Sequence, residues 1–227
     1  MNIPKLNTRT TAVLVLLAAI IVAFVLGLIA YQRHEQTTQL QQVSVNAERL
    51  VRMHSPVTGP QNAPVTIVEF FDPACETCRA FYPIVKELMR KYPADVRLVI
   101  RYAPFHQGSD QVVRLLEASK RQGKYWAVLE MVLAAQPMWA DHGNPDVRKA
   151  YAAAAQAGLD IDKALTDATS PGIESVLRQD MDDLTALGVN KTPTFFVNGR
   201  PLPSFGAEQL AVLVAEEVAK TKGQGTR

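Results

Sequence analysis

The sequence reads as an α/β protein in which a small mixed sheet is flanked by helices and interrupted midway by a helical subdomain. A membrane-spanning helix and a stalk precede it. Three observations lead there. Ala12 to Ala30 is an apolar run without a charge; Val65 to Phe71 and Val96 to Ala103 are β-branched runs separated by a helical stretch; and strand signals then vanish until Thr194 to Val197. The expected organisation is a cytoplasmic start over 1–11, an anchor over 12–31, a stalk over 32–58, and a folded domain over 59–222 with its helical insertion at about 107–188.

At 1.5 Å per residue, the Ala12 to Ala30 run makes a helix that crosses the ~30 Å hydrocarbon layer. Lys5 and Arg9 before it place the start of the chain in the cytoplasm by the positive-inside bias, with Arg33 beyond it weakening the asymmetry. A cleaved signal peptide is the competing reading, but its apolar region is shorter and ends on small residues, whereas Leu28 stands where a small one is wanted. Both readings deliver the domain to an extracytoplasmic space, the periplasm if the source is bacterial. Gln32 to Pro64 is Gln-rich and then rich in Pro, Gly and Asn, as a stalk would be. Leu40, Val43, Ala47 and Leu50 form a short heptad-like stripe through which copies of the chain would associate, a single helix or loose linker being the alternative.

Val65 to Phe71, bounded by Pro64 and Pro73, has the character of a buried central strand. A helix from about Cys75 to Tyr92 and a second strand from Val96 follow, an order that implies a right-handed crossover and a parallel pair. From Gln107 to Gly188 the pattern is helical, with Asp160 as an N-cap, Pro145 and Pro171 in first turns, and Gly123, Gly158 and Gly188 as stops. After Thr194 to Val197, Asn198-Gly199 predicts a type I′ turn into a short strand at Arg200 to Leu202. Ala207 to Lys220 closes the fold as a helix.

Composition removes several function classes. Lys and Arg number 24 against 22 Asp and Glu, a formal charge of +2, which lacks the cation excess that nucleic-acid binding needs. The two cysteines are too few for a disulfide scaffold or a four-thiolate zinc site. They stand together as Cys75-Glu76-Thr77-Cys78 at a helix start, where unpaired backbone N–H groups favour a thiolate at Cys75 and leave Cys78, one turn further in, as the buried resolving thiol. No second Cys-x-x-Cys exists, and His34, His54, His106 and His142 are dispersed, so neither a metal site nor a cofactor is expected, only the redox-active pair itself. Glu69 is a carboxylate in the middle of an apolar strand, six residues before Cys75; buried beneath the helix, it would exchange a proton with Cys78, whereas on an edge strand it would merely face water.

The strand ending Val68-Glu69-Phe70-Phe71, the Cys-x-x-Cys helix, Pro83, and Thr192-Pro193-Thr194-Phe195 before a strand together resemble the thioredoxin superfamily. Gly59-Pro60-Gln61-Asn62-Ala63-Pro64-Val65 and the long helical insertion resemble its DsbA-like branch, over about Ser55 to Lys220. The resemblance implies a thioredoxin-like fold with a helical insertion and protein thiol:disulfide oxidoreductase activity. It also implies a cis bond at Thr192-Pro193, where the Thr192 backbone pairs with an extended substrate. Between its cysteines this chain has Glu76-Thr77 where DsbA has Pro-His. Glu76 brings a negative charge, Arg79 on the same helical face partly offsets it, and the expected result is a Cys75 pKa above that of DsbA and a less oxidising disulfide.

Three uses fit such a site: an oxidase or isomerase acting on cysteine-containing proteins outside the cytoplasm, a reductase serving a specific client, or a non-catalytic thioredoxin-like module that binds a partner or handles a metal. A membrane anchor favours a redox partner in the same membrane. An apolar groove lined from Phe105, the insertion and the loop around Phe205 is the expected client surface. His106, alone in a loop, reads as a surface residue, and Trp126, Trp139, Met131 and Met138 as core and cover of the insertion.

Overall fold

The computed structural model describes residues 8–224. Helix α1 runs as one piece from Thr8 to Val45. Within it Thr11–His34 has a mean hydropathy of 3.3, long and apolar enough to cross a membrane by length and composition. Its apolar side chains, Leu16, Ile20 and Phe24 among them, are exposed. Lys5 lies outside the described residues, as do the side chains of Arg9, Leu40 and Val43.

Residues 42–227 form a second compact unit. Its sheet has five strands in the order β1-β3-β2-β4-β5: β1 (Val57–Thr58), β2 (Val65–Phe71), β3 (Val96–Tyr102), β4 (Thr194–Val197) and β5 (Arg200–Pro201). The crossover through α2 (Glu76–Lys91) makes β2 and β3 parallel, from Val65 opposite Val96 to Phe71 opposite Tyr102. β4 pairs antiparallel with β2, and β1 with β3. Asn198 (φ 48°) and Gly199 (φ 79°) supply the left-handed residues of the β4–β5 hairpin turn.

Alternation along the strands sorts side chains onto two faces. Val65, Ile67 and Phe71 join Leu98, Ile100 and Tyr102 in a large core under α2, the insertion helices and α9 (Ala207–Gln224). Val68, Phe70, Val99, Ala103 and Phe196 face the other way, against Leu184, Leu187 and Val189. The insertion comprises α3 (Ser109–Arg121), α4 (Tyr125–Ala134), the short α5 (Gln136–Trp139), α6 (Val147–Gln156), α7 (Ile161–Ala168) and α8 (Pro171–Ala186). Asp160 caps α7 by accepting the Lys163 N–H, and Pro171 opens α8. Pro145 instead precedes the N-cap Asp146, just outside α6.

The stalk expectation needs correction. The folded unit starts before residue 59, because Leu50 is buried in the second core, β1 is part of the sheet, and Arg49 and Arg52 pair with Asp183. Asp183 lies more than a hundred residues downstream of both arginines, beyond the reach of local pattern. The stripe from Leu40 to Leu50 thereby loses its last member to the domain's own interior.

Candidate functional site

Strand β2 delivers the chain to the site and α2 carries it away. Beyond Phe71 the segment turns at Asp72–Ala74, with the Cys75 N–H donating to the Asp72 carbonyl at 3.1 Å. Cys75 is the N-cap of α2, extended in backbone, and its carbonyl accepts the Arg79 N–H. Cys78, in the first turn, is wholly buried, while Cys75 keeps 6% of its surface. Both are free thiols, so the geometry is that of the dithiol form.

The two thiols have opposite characters. The Cys75 thiol is lowered to about 5, first by the hydrogen bond from Cys78, then by Thr192 and by the backbone N–H groups of Cys78 and Thr77, all against the opposing effect of burial. Cys78 is pushed far above the ordinary thiol range by burial, by sharing its proton with Cys75, and by the negative charges of Glu69 and Cys75. The helix end thus contributes to the Cys75 thiolate, as sequence reasoning expects, but the neighbouring thiol contributes more. Glu76 and Arg79, expected to modulate Cys75 directly, are both exposed, and Glu76 sits 3.8 Å from His142. Thr77 acts through its backbone alone; its side chain is exposed.

Glu69 lies on the same face of β2 as the large core that holds Cys78. It is 1% exposed, and neither carboxylate oxygen has a hydrogen-bond partner. Burial, helped by the Cys75 charge, raises its pKa to about 8. A carboxyl that is half protonated near pH 8 and mostly protonated at neutrality, in electrostatic contact with both sulfurs, can store a proton during thiol chemistry.

From across the fold, β4 brings Thr192-Pro193 to the thiols. The peptide bond between them is cis, and the Cys75 Sγ lies 3.3 Å from the Thr192 carbonyl oxygen. Phe195 stacks on Phe81 of α2 at 5.5 Å, and Phe81 on Phe205 at 4.9 Å, a row whose outer ring is half exposed. Phe105 is also exposed. Trp139 is fully buried, while Met138 lies at the surface.

Three contributors were missed. Asp72, in the turn after β2, is a buried acceptor for the loop after β3. His106, read as a surface residue, is anchored to Asp72 through Nδ1 at 2.7 Å. Gln136 of α5, also buried, donates its amide to the Pro73 and Cys75 carbonyls at 2.8 and 3.0 Å, tying the insertion to the cysteine loop. Only Asp72 carried a sequence signal, an Asx residue before Pro73. Among the described residues no cluster of three or more His, Cys, Asp or Glu could hold a metal.

A parallel β-α-β unit, an antiparallel strand entered through a cis proline, and a Cys-x-x-Cys helix start beneath that proline define a thioredoxin-like protein. Accordingly, the family model described as Thioredoxin matches residues 52–215, and the chain belongs to that family. Its fold is similar to a thioredoxin-like oxidoreductase from Silicibacter pomeroyi DSS-3, at 30% identity and a TM-score of 0.67 over 77% of this chain and 98% of that one. It also shares the fold of the catalytic domain of Proteus mirabilis ScsC (19% identity, TM-score 0.66, 79% and 98% covered) and of BdbD from Bacillus subtilis (21%, 0.65, 73% and 94%). In sequence it is 31% identical over 147 residues to a Na(+)/H(+) antiporter NhaA of Herminiimonas arsenicoxydans, covering 64% of this chain and 22% of the antiporter. An antiporter NhaA 3 of Salinispora tropica is 36% identical, again over 22% of its length. The chain thus spans under a quarter of these two relatives, and their transport activity does not carry over with so partial a match.

Proposed function

We propose that this chain is a protein thiol:disulfide oxidoreductase, acting as an oxidase or isomerase on cysteine-containing proteins outside the cytoplasm. The observation that carries the reading is the asymmetry of the thiol pair: an electron-rich, slightly accessible Cys75 backed by a buried, strongly protonated Cys78. In the oxidising direction a client thiolate attacks the Cys75 sulfur, the Cys75–Cys78 bond breaks, and Cys78 leaves with the electron pair and takes up a proton. A second client thiolate then attacks the client sulfur of the mixed disulfide and expels Cys75 as a thiolate. Run backwards, the same steps reduce a disulfide. Glu69 is the group placed to supply and recover the Cys78 proton, and the Thr192 backbone before Pro193 is the edge on which an extended client would lie.

Helix α1 supports a single-pass inner-membrane anchor with the domain in the periplasm, which favours local clients and a redox partner in the same membrane. Self-association through the stalk would have to use α1 itself, because Leu50 is occupied. Equilibrating the detergent-solubilised chain with glutathione, together with insulin reduction and oxidation of a reduced protein, tests the proposal. Exchange lost in Cys75→Ser is expected. A wild-type chain inert in all three assays would leave a non-catalytic binding module. Insulin reduction without protein oxidation would favour the reductase serving one client.

A further inference from the structure

The Asp72 side chain is wholly buried and accepts five hydrogen bonds. Oδ1 receives the Ala74 N–H at 2.9 Å and the Ser109 hydroxyl. Oδ2 receives the N–H groups of Phe105 (2.7 Å) and His106 (2.9 Å) and the His106 ring at 2.7 Å. A carboxylate has about four lone-pair sites, so this one is saturated. Four of the five donors come from one short segment, 105–109, where β3 passes into the insertion.

The backbone of the same residue touches both thiol positions. Its carbonyl accepts the Cys75 N–H at 3.1 Å, and its N–H points at the Cys78 Sγ at 3.5 Å. The Asp72 N–H favours a negative Cys78, opposing burial and the charges of Glu69 and Cys75. The side-chain bonds tie Asp72 to the 105–109 segment, and the Phe71 carbonyl of the same peptide accepts the Ala103 N–H at 2.9 Å, so the two together set where the Asp72 N–H points. Among the side-chain donors, Ser109 is buried and only the His106 ring, about 31% exposed, reaches solvent. Its other neighbour is the His142 ring at 5.6 Å, itself beside Glu76.

We infer that Asp72 and His106 are a positioning pair that holds the Asp72 N–H on the Cys78 sulfur and thereby stabilises that sulfur while it carries negative charge during exchange. The inference rests on the exchange reading above and deepens it, for Cys78 must carry negative charge both when it leaves Cys75 and when it returns to resolve a mixed disulfide. A charge-assisted hydrogen bond strengthens at those moments and is weaker to a neutral sulfur. The imidazole acts as donor: both Asp72 oxygens already accept from backbone N–H groups, so Nδ1 carries the hydrogen. Asparagine places an amide N–H near the Nδ1 position and should preserve the contact.

The test compares the full-length chain with His106→Ala and His106→Asn. It reads the glutathione equilibrium constant, the rate at which Cys78 resolves a preformed Cys75–glutathione adduct, and the urea midpoints of the oxidised and reduced forms. Loss of one hydrogen bond of ordinary net strength predicts that Cys78 resolves the adduct about three- to tenfold more slowly in His106→Ala, with the equilibrium constant within about twofold of wild type because Cys78 is uncharged in both the dithiol and the disulfide. His106→Asn should recover most of the rate. A merely structural histidine would lower the two urea midpoints equally and leave the resolution rate within about twofold of wild type, and that result overturns the inference. Should His106→Ala not fold, Ser109→Ala removes another donor and must slow resolution in the same way, failing which the inference also falls. A wild type whose Cys78 resolves the glutathione adduct but that handles no client overturns the exchange reading alone, since the comparison of rates needs no client.

Discussion

Both faces of the central sheet bury carboxylates, and Glu69 on one is treated in the opposite way from Asp180 and Asp183 on the other. On one face Asp180 and Asp183 of α8 are fully buried and fully engaged. Arg101 of β3, with no exposed surface, donates to both at 2.7 Å. Asp180 also receives the Tyr102 N–H and pairs with the His54 ring, and Asp183 is held by Arg49 and Arg52. Burial alone would raise the Asp183 carboxyl, but Arg52 and Arg101 outweigh it and keep it well below the usual carboxylate range. On the opposite face Glu69 has no partner and is raised to about 8. The contrast teaches that burial by itself does not mark a functional acid. A saturated pair is a fastening, here of residues 46–55 onto the domain, whereas an orphaned carboxyl beside two sulfurs costs stability and, in the function proposed above, is their proton store.

Breaking the paired side should have the largest effect. Arg101→Leu takes from Asp180 its arginine and from Asp183 one of three, both fully buried, and is expected to cost about 3–5 kcal/mol in urea unfolding. Combining it with Asp180→Asn and Asp183→Asn should restore part of that loss, and a double or triple variant no better than Arg101→Leu would contradict the charge explanation.

The orphaned side should respond with the opposite sign. The Glu69 pKa lies near 8 in the folded chain and near 4.5 when unfolded. At acid pH both states hold the proton and there is no penalty. As pH rises through 4.5 the unfolded state gives up its proton first, so stability is lost progressively until about pH 8 and then levels off. Glu69→Gln should therefore be indistinguishable from wild type at acid pH and increasingly more stable up to about pH 8, by at most a few kcal/mol at ~1.4 kcal/mol per unit of displacement. Its exchange rate should nevertheless fall and lose its dependence on pH near 8. A stability difference flat across pH would remove the buried-acid description.

Cys75 sharpens the same contrast. Alkylation of the reduced chain should titrate near pH 5 and label Cys75 alone, with Cys78 silent through neutral pH. Because its folded pKa is depressed, the thiolate contributes stability that is present above the unfolded thiol range and is lost as pH falls toward 5. Relative to Cys75→Ser, the reduced form should gain stability from about pH 5 to about pH 9. Removing that charge should also lower the pKa of Glu69, narrowing the window of the Glu69→Gln effect.

The smallest change is expected at His54→Ala. Asp180 keeps Arg101 and the Tyr102 N–H, so one lost contact at a partly exposed ring should cost about 1 kcal/mol.

Local pattern made much of this legible. The β-branched apolar runs of β2 and β3, the Asn198-Gly199 turn and the Asp160 cap depend on neighbours in sequence, and each forms where the residues place it. Cys75, Cys78 and Glu69 were legible for a chemical reason, since thiols three apart at a helix start and an acid within an apolar strand are conspicuous wherever they end up. Leu50, Arg49 and Arg52 were read as stalk because their partners in β2, β3 and α8 are remote. His106 looked like surface for the same reason: nothing adjacent to it announces that Asp72 is its acceptor.

Sequence alone thus determined the thiol pair, the apolar anchor-length helix and the order of strands and helices, all properties of short stretches and their spacing. Tertiary structure decided which carboxylates are satisfied, how electron-rich each sulfur is, and where the folded unit begins. Those depend on desolvation and on donors converging from distant segments, and neither exists until the chain has closed on itself.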